Sequence, residues 1–269
     1  MRRLIPVLLC AALTQPGFER PAAAARVKPT PAAREKSVPA TGDTSRVHIG
    51  PAAAGSEAFV AWPAGRDPAP AVVVLHEWWG LDAHIRDIAK RLAGQGYVAV
   101  VPDLYRGQLA DDPERARALK QGLSDDDAFT LADGAVRWLR AGPRTAKARV
   151  GAVGFCMGGA LAERWALRSP GLAAVVMYYG SPVTDPDKLA SLQAPLQGHF
   201  GADDQGIPQT QVDSLRAGLA KAGKSVDIHV YPGAGHAFMH DGRDSYRPDA
   251  ARQAWARTLA FLQEHLKGR

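Results

Sequence analysis

The stretch Val150-Gly-Ala-Val-Gly-Phe-Cys-Met-Gly-Gly159 decides how this chain folds and where its chemistry lies. A short run of small and β-branched residues stops at Gly154, and a helix-forming run begins at Gly159. This is the G-x-S-x-G pattern of a nucleophile elbow, with Cys156 in the place of serine. Such a nucleophile sits on a strained strand-to-helix turn, and Gly154 and Gly158 supply neighbours without side chains. The unpaired N–H groups at the helix start favour negative charge on the sulfur or on an oxyanion.

Strand and helix patterns alternate on both sides of this elbow, from about residue 58 to the end of the chain. The run Ala71-Val-Val-Val-Leu-His76 is apolar throughout, as expected for a strand buried on both faces of a parallel sheet. Comparable strands are predicted at 97–101, 172–178 and 226–231, with helices between them. The alternation indicates an α/β fold with a mostly parallel sheet and helices on both faces. Ligands of such folds bind at the carboxyl ends of the strands.

The N-terminal part differs in composition. Two arginines precede an apolar run that is too short to span a bilayer, and four alanines follow it, which predicts a secretory signal peptide over residues 1–25. Residues 26–46 are rich in Pro, Ala, Lys and Arg and predict a flexible basic linker. The folded domain is expected over 47–269. These features predict a periplasmic or secreted protein, or a cytoplasmic one if the first segment is not a functional signal.

Charge and cysteine content narrow the function further. Residues 1–46 hold eight Lys or Arg against three acidic residues, so they carry +5 of the total charge of +6. The pI of about 9.5 therefore belongs largely to this segment, and no nucleic-acid motif accompanies it. If Cys10 leaves with the signal peptide, Cys156 is a lone and potentially reactive thiol. The sequence has no H-E-x-x-H and no cysteine pair, so neither a metal nor another cofactor is expected.

Cys156 needs a base, and five histidines follow it in the chain. His236 is the best candidate, because it lies in the loop Pro232-Gly-Ala-Gly-His-Ala-Phe238 just after a predicted strand. A carboxylate must fix the tautomer of such a histidine, and the end of another short strand offers both Asp203 and Asp204. The chain order nucleophile, acid, histidine is that of α/β-hydrolases. The alternatives are a buried structural cysteine and a solvated Asp-rich turn.

Glu77 is unusual because it directly follows the buried strand and stands beside two tryptophans. Burial there raises the pKa of a carboxyl group, and a nearby thiolate raises it further. A glutamate that controls the thiol is the functional interpretation, and a salt-bridged glutamate on the rim is the alternative. Aromatic residues near the strand ends are candidates for pocket walls or for the core, namely Trp78, Trp79, Tyr105, Tyr178 and Phe238.

Together these residues resemble the dienelactone hydrolase family (carboxymethylenebutenolidases) of the α/β-hydrolase fold, over about residues 47–266. The likeness rests on five motifs in the right order, which are His76-Glu-Trp-Trp-Gly-Leu81, Val101-Pro-Asp-Leu-Tyr105, Gly154-Phe-Cys-Met-Gly-Gly159, Gly201-Ala-Asp-Asp-Gln-Gly-Ile-Pro208 and Gly233-Ala-Gly-His-Ala-Phe238. The resemblance implies that Cys156 is the nucleophile and that Asp204 orients His236. It also implies that Glu77 gates the cysteine.

The resemblance further implies an oxyanion hole made by the backbone N–H groups of Met157 and Trp78. Family enzymes that take dienelactone hold its carboxylate with arginines. One of these lies shortly after the catalytic histidine, where this chain has Met239-His240. Another lies in the helix after the Asp-Leu-Tyr motif, where spacing does not choose between Arg115 and Arg117. The other candidate substrate contacts are Trp79, Tyr105, Phe238 and His240.

The sequence thus predicts a cysteine-dependent hydrolase of small esters or lactones that works through an acyl-enzyme. A carboxylesterase or thioesterase acting on another small acyl substrate is one alternative. A non-catalytic binding protein with a hydrolase fold is another. The expected partner is a small-molecule ester or lactone, with no nucleic acid, no membrane span in the mature chain, and a monomeric or dimeric state.

Overall fold

The structure is a computed structural model that describes residues 41–50, 56–145 and 147–268. The predicted signal peptide and most of the predicted linker lie outside these residues, so both remain predictions, as does export. Among the described helices, none is long and apolar enough to cross a membrane.

Eight strands form one sheet in the order β1-β2-β4-β3-β5-β6-β7-β8. The six strands from β4 to β8 in this order are parallel, and β2 runs antiparallel to both of its neighbours. The strands are β1 Thr41–His48, β2 Glu57–Pro63, β3 Ala71–Leu75, β4 Val98–Pro102, β5 Val150–Phe155, β6 Ala174–Tyr178, β7 Leu196–Gly201 and β8 Asp227–Tyr231.

Four of the helices in the described chain begin after a side chain that accepts a hydrogen bond from one of their first N–H groups, whereas the helices that follow Cys156, Pro208 and Arg247 have no such cap. Asp82, for example, accepts a bond of 3.0 Å from the N–H of Ile85 at the start of α1. The helices are α1 Ala83–Gly94, α2 Pro113–Gln121, α3 Asp125–Ala141, α4 Met157–Arg168, α5 Pro186–Leu189, α6 Gln209–Lys221 and α7 Pro248–Leu262, and a π-helical turn, Gln263–Lys267, follows α7. Sequence periodicity did not predict α5, because four residues are too few to show a helical period.

Helices cover both faces of the sheet. Buried residues of α3, α4 and α6 pack against one face, and those of α1 and α7 pack against the other. The central strands β3, β4, β5 and β6 are buried along their whole length, which explains their continuous apolar sequences. The predicted α/β architecture, a mostly parallel sheet with helices on both faces, is confirmed.

The predicted boundary between linker and domain was placed too late. The first strand begins at Thr41, inside the segment 26–46 that composition predicted to be a linker. Among the described strands, this one lies at the edge of the sheet and pairs with β2 alone. Its side chains are mostly exposed or half-buried, so its sequence lacks the apolar pattern of a strand that faces a core.

Candidate active site

The elbow between β5 and α4 has the strained backbone that its glycines predict. Cys156 adopts φ 51° and ψ −115°, a backbone conformation that residues other than glycine rarely take. A Cβ on Gly154 would lie 2.0 Å from the carbonyl oxygen of Gly158, and one on Gly158 would lie 2.1 Å from that of Leu75. Both positions therefore require glycine. The close approach at Gly158 also packs the start of α4 against the end of β3.

Cys156, His236 and Asp204 form a continuous chain of contacts. The Nε2 atom of His236 lies 3.1 Å from the Sγ atom of Cys156, and its Nδ1 atom lies 2.8 Å from Oδ2 of Asp204. The three residues follow β5, β8 and β7, so the parallel sheet brings together side chains that are far apart in sequence. The structure thus places the three predicted site residues within hydrogen-bonding distance of one another.

The structure also distinguishes the two adjacent aspartates. Asp204 is buried, and its Oδ1 atom accepts hydrogen bonds from the N–H groups of Gly206 at 2.8 Å and Ile207 at 3.0 Å. These bonds leave Oδ2 free to contact His236. The side chain of Asp203 is exposed, whereas its backbone N–H donates to the carbonyl of Ala234. Of the two aspartates, Asp204 is therefore the one whose side chain is in hydrogen-bonding contact with His236.

The surroundings of His236 favour its protonated form. Burial acts to lower its pKa, but the hydrogen bonds to Asp204 and Cys156, together with the negative charges of both groups, raise the pKa to about 10. The ring therefore keeps its proton at neutral pH as long as the sulfur beside it is charged. Such a ring can give a proton to a leaving group.

His76 joins two of the sequence motifs at the end of β3. Its Nε2 atom accepts a hydrogen bond of 3.2 Å from the N–H of Leu104, so its Nδ1 atom donates to the carbonyl of Glu77 at 2.6 Å. Burial lowers the pKa of His76, which keeps the ring neutral. The bonds fix the backbone on either side of the site, a role that sequence reasoning did not assign to this histidine.

Glu77 lies buried beside Cys156, His236 and Asp204, which we call the triad. Both carboxylate oxygens lack a hydrogen-bond partner within the described part of the chain, although Nε2 of His240 stands 4.0 Å from Oε2. Burial raises the pKa of Glu77, while His84 and His240 act to lower it. In this structure the thiol of Cys156 contacts His236. The predicted control of the thiol by Glu77 remains a prediction.

Tyr179 is a site residue that sequence reasoning missed. It follows β6 with φ 38°, and its ring centroid lies 5.2 Å from that of His236. Its hydroxyl has no hydrogen-bond partner of ordinary geometry among the described residues. Burial raises its pKa well above the usual value, and the charges of Glu77 and Cys156 raise it further. The hydroxyl is therefore close to both groups. In the sequence, a tyrosine after a buried strand is indistinguishable from a core residue.

The predicted aromatic contacts divide between the site and the core. The hydroxyl of Tyr105 donates to Sδ of Met157 at 3.3 Å, and the charge of Cys156 adds to burial in raising the pKa of Tyr105. The ring of Trp79 lies 3.7 Å below the guanidinium of Arg243. Phe238, in contrast, is completely buried against other aromatic rings, as is Tyr178. The structure thus places Phe238 in the core, and its predicted contact with substrate remains a prediction.

The remaining predicted contacts can be placed as well. Arg115 hydrogen-bonds the side chain of Gln108, whose loop packs against the turn at Gly80. Arg117 is exposed on α2. Of the two arginines, Arg115 is therefore the one that is connected, through Gln108, to the turn at Gly80. His240 is buried, with Nε2 at 3.6 Å from Oδ2 of Asp82 and 4.0 Å from Oε2 of Glu77, and its contact with substrate remains a prediction.

Comparison with known proteins agrees with this geometry. The dienelactone hydrolase family profile matches residues 56–266. A protein of Methylorubrum extorquens named "Putative carboxymethylenebutenolidase" is 34% identical over 77% of this chain and 76% of its own. A Bradyrhizobium protein named "Probable 2-oxo-3-(5-oxofuran-2-ylidene)propanoate lactonase" is 33% identical over 79% of this chain and 90% of its own.

A solved structure shows the same fold. The crystal structure titled "Putative Dienelactone Hydrolase" from Klebsiella pneumoniae superimposes with a TM-score of 0.75 and 32% identity, covering 82% of this chain and 98% of that one. These relatives point to a hydrolase that acts on ester or lactone bonds. With its elbow, its mostly parallel sheet and these similarities together, the chain belongs to the dienelactone hydrolase family.

Proposed function

We propose that this protein hydrolyses small esters or lactones with Cys156 as nucleophile, His236 as proton carrier and Asp204 as the residue that orients His236. The observation that carries the proposal is the unbroken chain of contacts from sulfur through imidazole to a buried carboxylate. A nucleophile within reach of a base that a third group orients is the geometry of covalent catalysis.

In the acylation step the Cys156 thiolate attacks the carbonyl carbon, a C–S bond forms, and the carbonyl oxygen becomes an oxyanion. The N–H groups of Met157 and Trp78 stabilise this oxyanion, and losing one such donor typically costs about 10²–10³ in rate. Protonated His236 gives its proton to the leaving oxygen as the C–O bond breaks. A thioester remains on Cys156, and the alcohol of a lactone stays attached to its acyl group.

Deacylation uses the same residues in reverse. Acylation removes the negative charge from sulfur, and with it part of what raises the pKa of His236. The ring, now neutral and still held by Asp204, takes a proton from a water molecule that attacks the thioester carbonyl. Collapse of the intermediate expels the Cys156 thiolate and releases the acid. His236 keeps the proton that it took from water, so the thiolate and the protonated ring of the starting state are restored.

Cations near the site favour a substrate that carries a carboxylate. The guanidinium of Arg243 stacks on Trp79, seven positions after His236 in the chain. Arg115 hydrogen-bonds Gln108, whose loop packs against Gly80, the residue after Trp79. We propose that Arg243 replaces the arginine that the family places shortly after its histidine, and that Arg115 is the arginine of the helix after the Asp-Leu-Tyr motif. The name of the Bradyrhizobium relative, which describes a lactone with a carboxylate, agrees with this preference.

The direct test measures hydrolysis of p-nitrophenyl acetate and of dienelactone by the full chain under reducing conditions. We expect the wild type to cleave at least one of them and Cys156→Ala to lose the activity by about 10³ or more. Mass spectrometry of His236→Ala after mixing with the activated ester should show one acyl group on Cys156, since deacylation is then slow. Circular dichroism of each variant confirms that it is folded.

Each other outcome has a definite meaning. Equal hydrolysis by wild type and Cys156→Ala would exclude the cysteine as nucleophile. Activity on p-nitrophenyl acetate with none on dienelactone would favour an esterase or thioesterase on another acyl substrate. If the wild type cleaves neither ester, the result would count against the proposed activity and favour the alternative of a non-catalytic binding protein.

A further inference from the structure

A second group of ionisable side chains lies next to the triad, and we call it the Glu77 cluster. It contains two histidines and three carboxylates, namely Glu77, Asp82, His84, His240 and Asp241. The rings of His84 and His240 stack with centroids 4.1 Å apart and an angle of 13° between their planes. His84 Nδ1 lies 3.1 Å from Asp241 Oδ1, and His240 Nε2 lies 3.6 Å from Asp82 Oδ2.

Several polar atoms of this cluster are buried without a hydrogen bond. Within the described residues, His84 Nε2, His240 Nε2 and both oxygens of Glu77 have no such partner. The residues themselves are 8%, 7% and 1% exposed, so water does not replace the missing bonds easily. Unpaired buried groups of this kind cost stability unless something else binds them. The cluster is therefore built like a site that receives a ligand.

The chemistry of the cluster selects a cation. Three carboxylates face two imidazoles, and the positive charge that acts on His240 comes from Arg243, whose guanidinium is stacked on Trp79. His84, His240 and Asp241 each offer one ligand atom, and these atoms lie within 4.8 Å of one another. Among the described residues, no other His, Cys, Asp or Glu group meets this spacing.

Two imidazoles and one carboxylate form a donor set that suits zinc and similar borderline metals. Zinc bonds of about 2.0–2.2 Å place neighbouring tetrahedral ligands roughly 3.4 Å apart. The 3.1 Å separation of His84 Nδ1 and Asp241 Oδ1 is slightly shorter than this distance. The three ligand atoms lie within 4.8 Å of one another, so binding of the ion requires the two stacked rings to turn until their nitrogens converge. The Asp241 side chain is 66% exposed and has room to adjust with them.

We propose that His84, His240 and Asp241 bind a zinc-type divalent ion, with Glu77 and Asp82 supplying negative charge around it. His84 belongs to α1, and His240 follows His236 by four positions in the same loop. The ion therefore joins the start of α1 to the loop that carries the catalytic histidine. Because the ion binds only the folded chain, it stabilises that chain according to its concentration and affinity.

The test titrates zinc into the full chain carrying Cys156→Ser, since this change removes the thiol as a competing ligand. We expect one ion per chain by calorimetry and a higher melting temperature with zinc. His84→Gln and Asp241→Asn, each in the same background, should weaken binding at least about tenfold. The Asp241 side chain is 66% exposed, so Asp241→Asn tests the site without disturbing the core.

His229→Gln is the matched control, because His229 also pairs with an aspartate, Asp227, at 2.8 Å outside the cluster. It should bind zinc as tightly as the parent chain. Equal affinity in His84→Gln and Asp241→Asn would overturn the proposal by placing the ion elsewhere, and so would the absence of any zinc binding. Neither result depends on hydrolysis, so failure here is distinct from failure of the proposed activity.

Discussion

Two groups of polar side chains meet at the same edge of the sheet and differ in how completely they are bonded. In the triad, both ring nitrogens of His236 and both oxygens of Asp204 have partners. In the Glu77 cluster, four buried atoms lack a hydrogen bond within the described chain. The hydrogen bonds of the triad hold its side chains in a single arrangement. The Glu77 cluster can change its protonation or take up a ligand at little cost in existing bonds.

The difference shows where this fold gives up stability. Preorganised donors and acceptors need no rearrangement during a reaction, which is the main source of electrostatic catalysis. Buried unpaired charges reduce stability, and they persist where they serve a function. The triad is therefore expected to respond to mutation with a loss of rate, and the Glu77 cluster with a change in stability or pH dependence.

The largest effect should come from breaking the bonded network at Asp204. In Asp204→Asn the histidine loses the charge and the hydrogen bond that help to raise its pKa to about 10. We expect kcat/KM for p-nitrophenyl acetate to fall by about 10²–10⁴. The alkaline limb of the pH profile, where His236 loses its proton, should move to lower pH.

Asp203→Asn is the control, because this neighbouring aspartate is exposed and its side chain does not contact His236. Its activity and pH profile should match those of the wild type. A similar loss in both variants, or an unshifted alkaline limb in Asp204→Asn, would show that Asp204 does not hold the histidine.

The triad could be predicted because each member leaves a local signal. The glycines around Cys156 are required because a Cβ at either position would lie about 2 Å from a backbone oxygen, so the motif marks the turn by itself. His236 and Asp204 stand in loops directly after strands, and parallel topology makes such loops converge. The choice between Asp203 and Asp204 from the residues alone stayed open, because it depends on which side chain turns inward.

The Glu77 cluster could not be predicted as a unit. His84 looks like an ordinary residue of an amphipathic helix, and Asp241 looks like part of a polar loop. Only the packing of α1 against the loop after β8 brings them together. Likewise, the first strand, Thr41–His48, shows no apolar alternation, because backbone bonds to β2 rather than side-chain burial hold it.

An intermediate effect is expected from Glu77→Gln. Burial raises the pKa of Glu77, so the folded chain holds this proton more tightly than the unfolded chain does. Stability therefore falls as the pH rises above the usual glutamate value of about 4.3. Glutamine does not ionise, so the variant should be more stable by about 1–2 kcal/mol at pH 7. The gain should shrink towards zero near pH 4.

Denaturant unfolding at several pH values measures this difference. Glu57→Gln is the control, since Glu57 has an exposed side chain and pairs with Arg46 at 3.4 Å. It should change stability by less than about 0.5 kcal/mol at every pH. A gain for Glu77→Gln that is independent of pH would show that packing, rather than the buried charge, is responsible.

The smallest effect should come from Tyr179→Phe, which tests whether the two groups communicate. The hydroxyl makes no hydrogen bond of ordinary geometry within the described residues, so its removal should leave stability unchanged or slightly higher. Its interaction with the Glu77 carboxyl group nevertheless acts to lower the pKa of Glu77, so this pKa should rise further when the hydroxyl is removed. If Glu77 controls Cys156 through this hydroxyl, the acid limb of thiol alkylation by iodoacetamide should move to higher pH. We expect a shift below about one unit, with kcat/KM reduced less than tenfold.

An unchanged alkylation profile would mean that the triad and the Glu77 cluster act independently. A loss as large as that of Asp204→Asn would instead place Tyr179 among the groups that contact the reacting atoms.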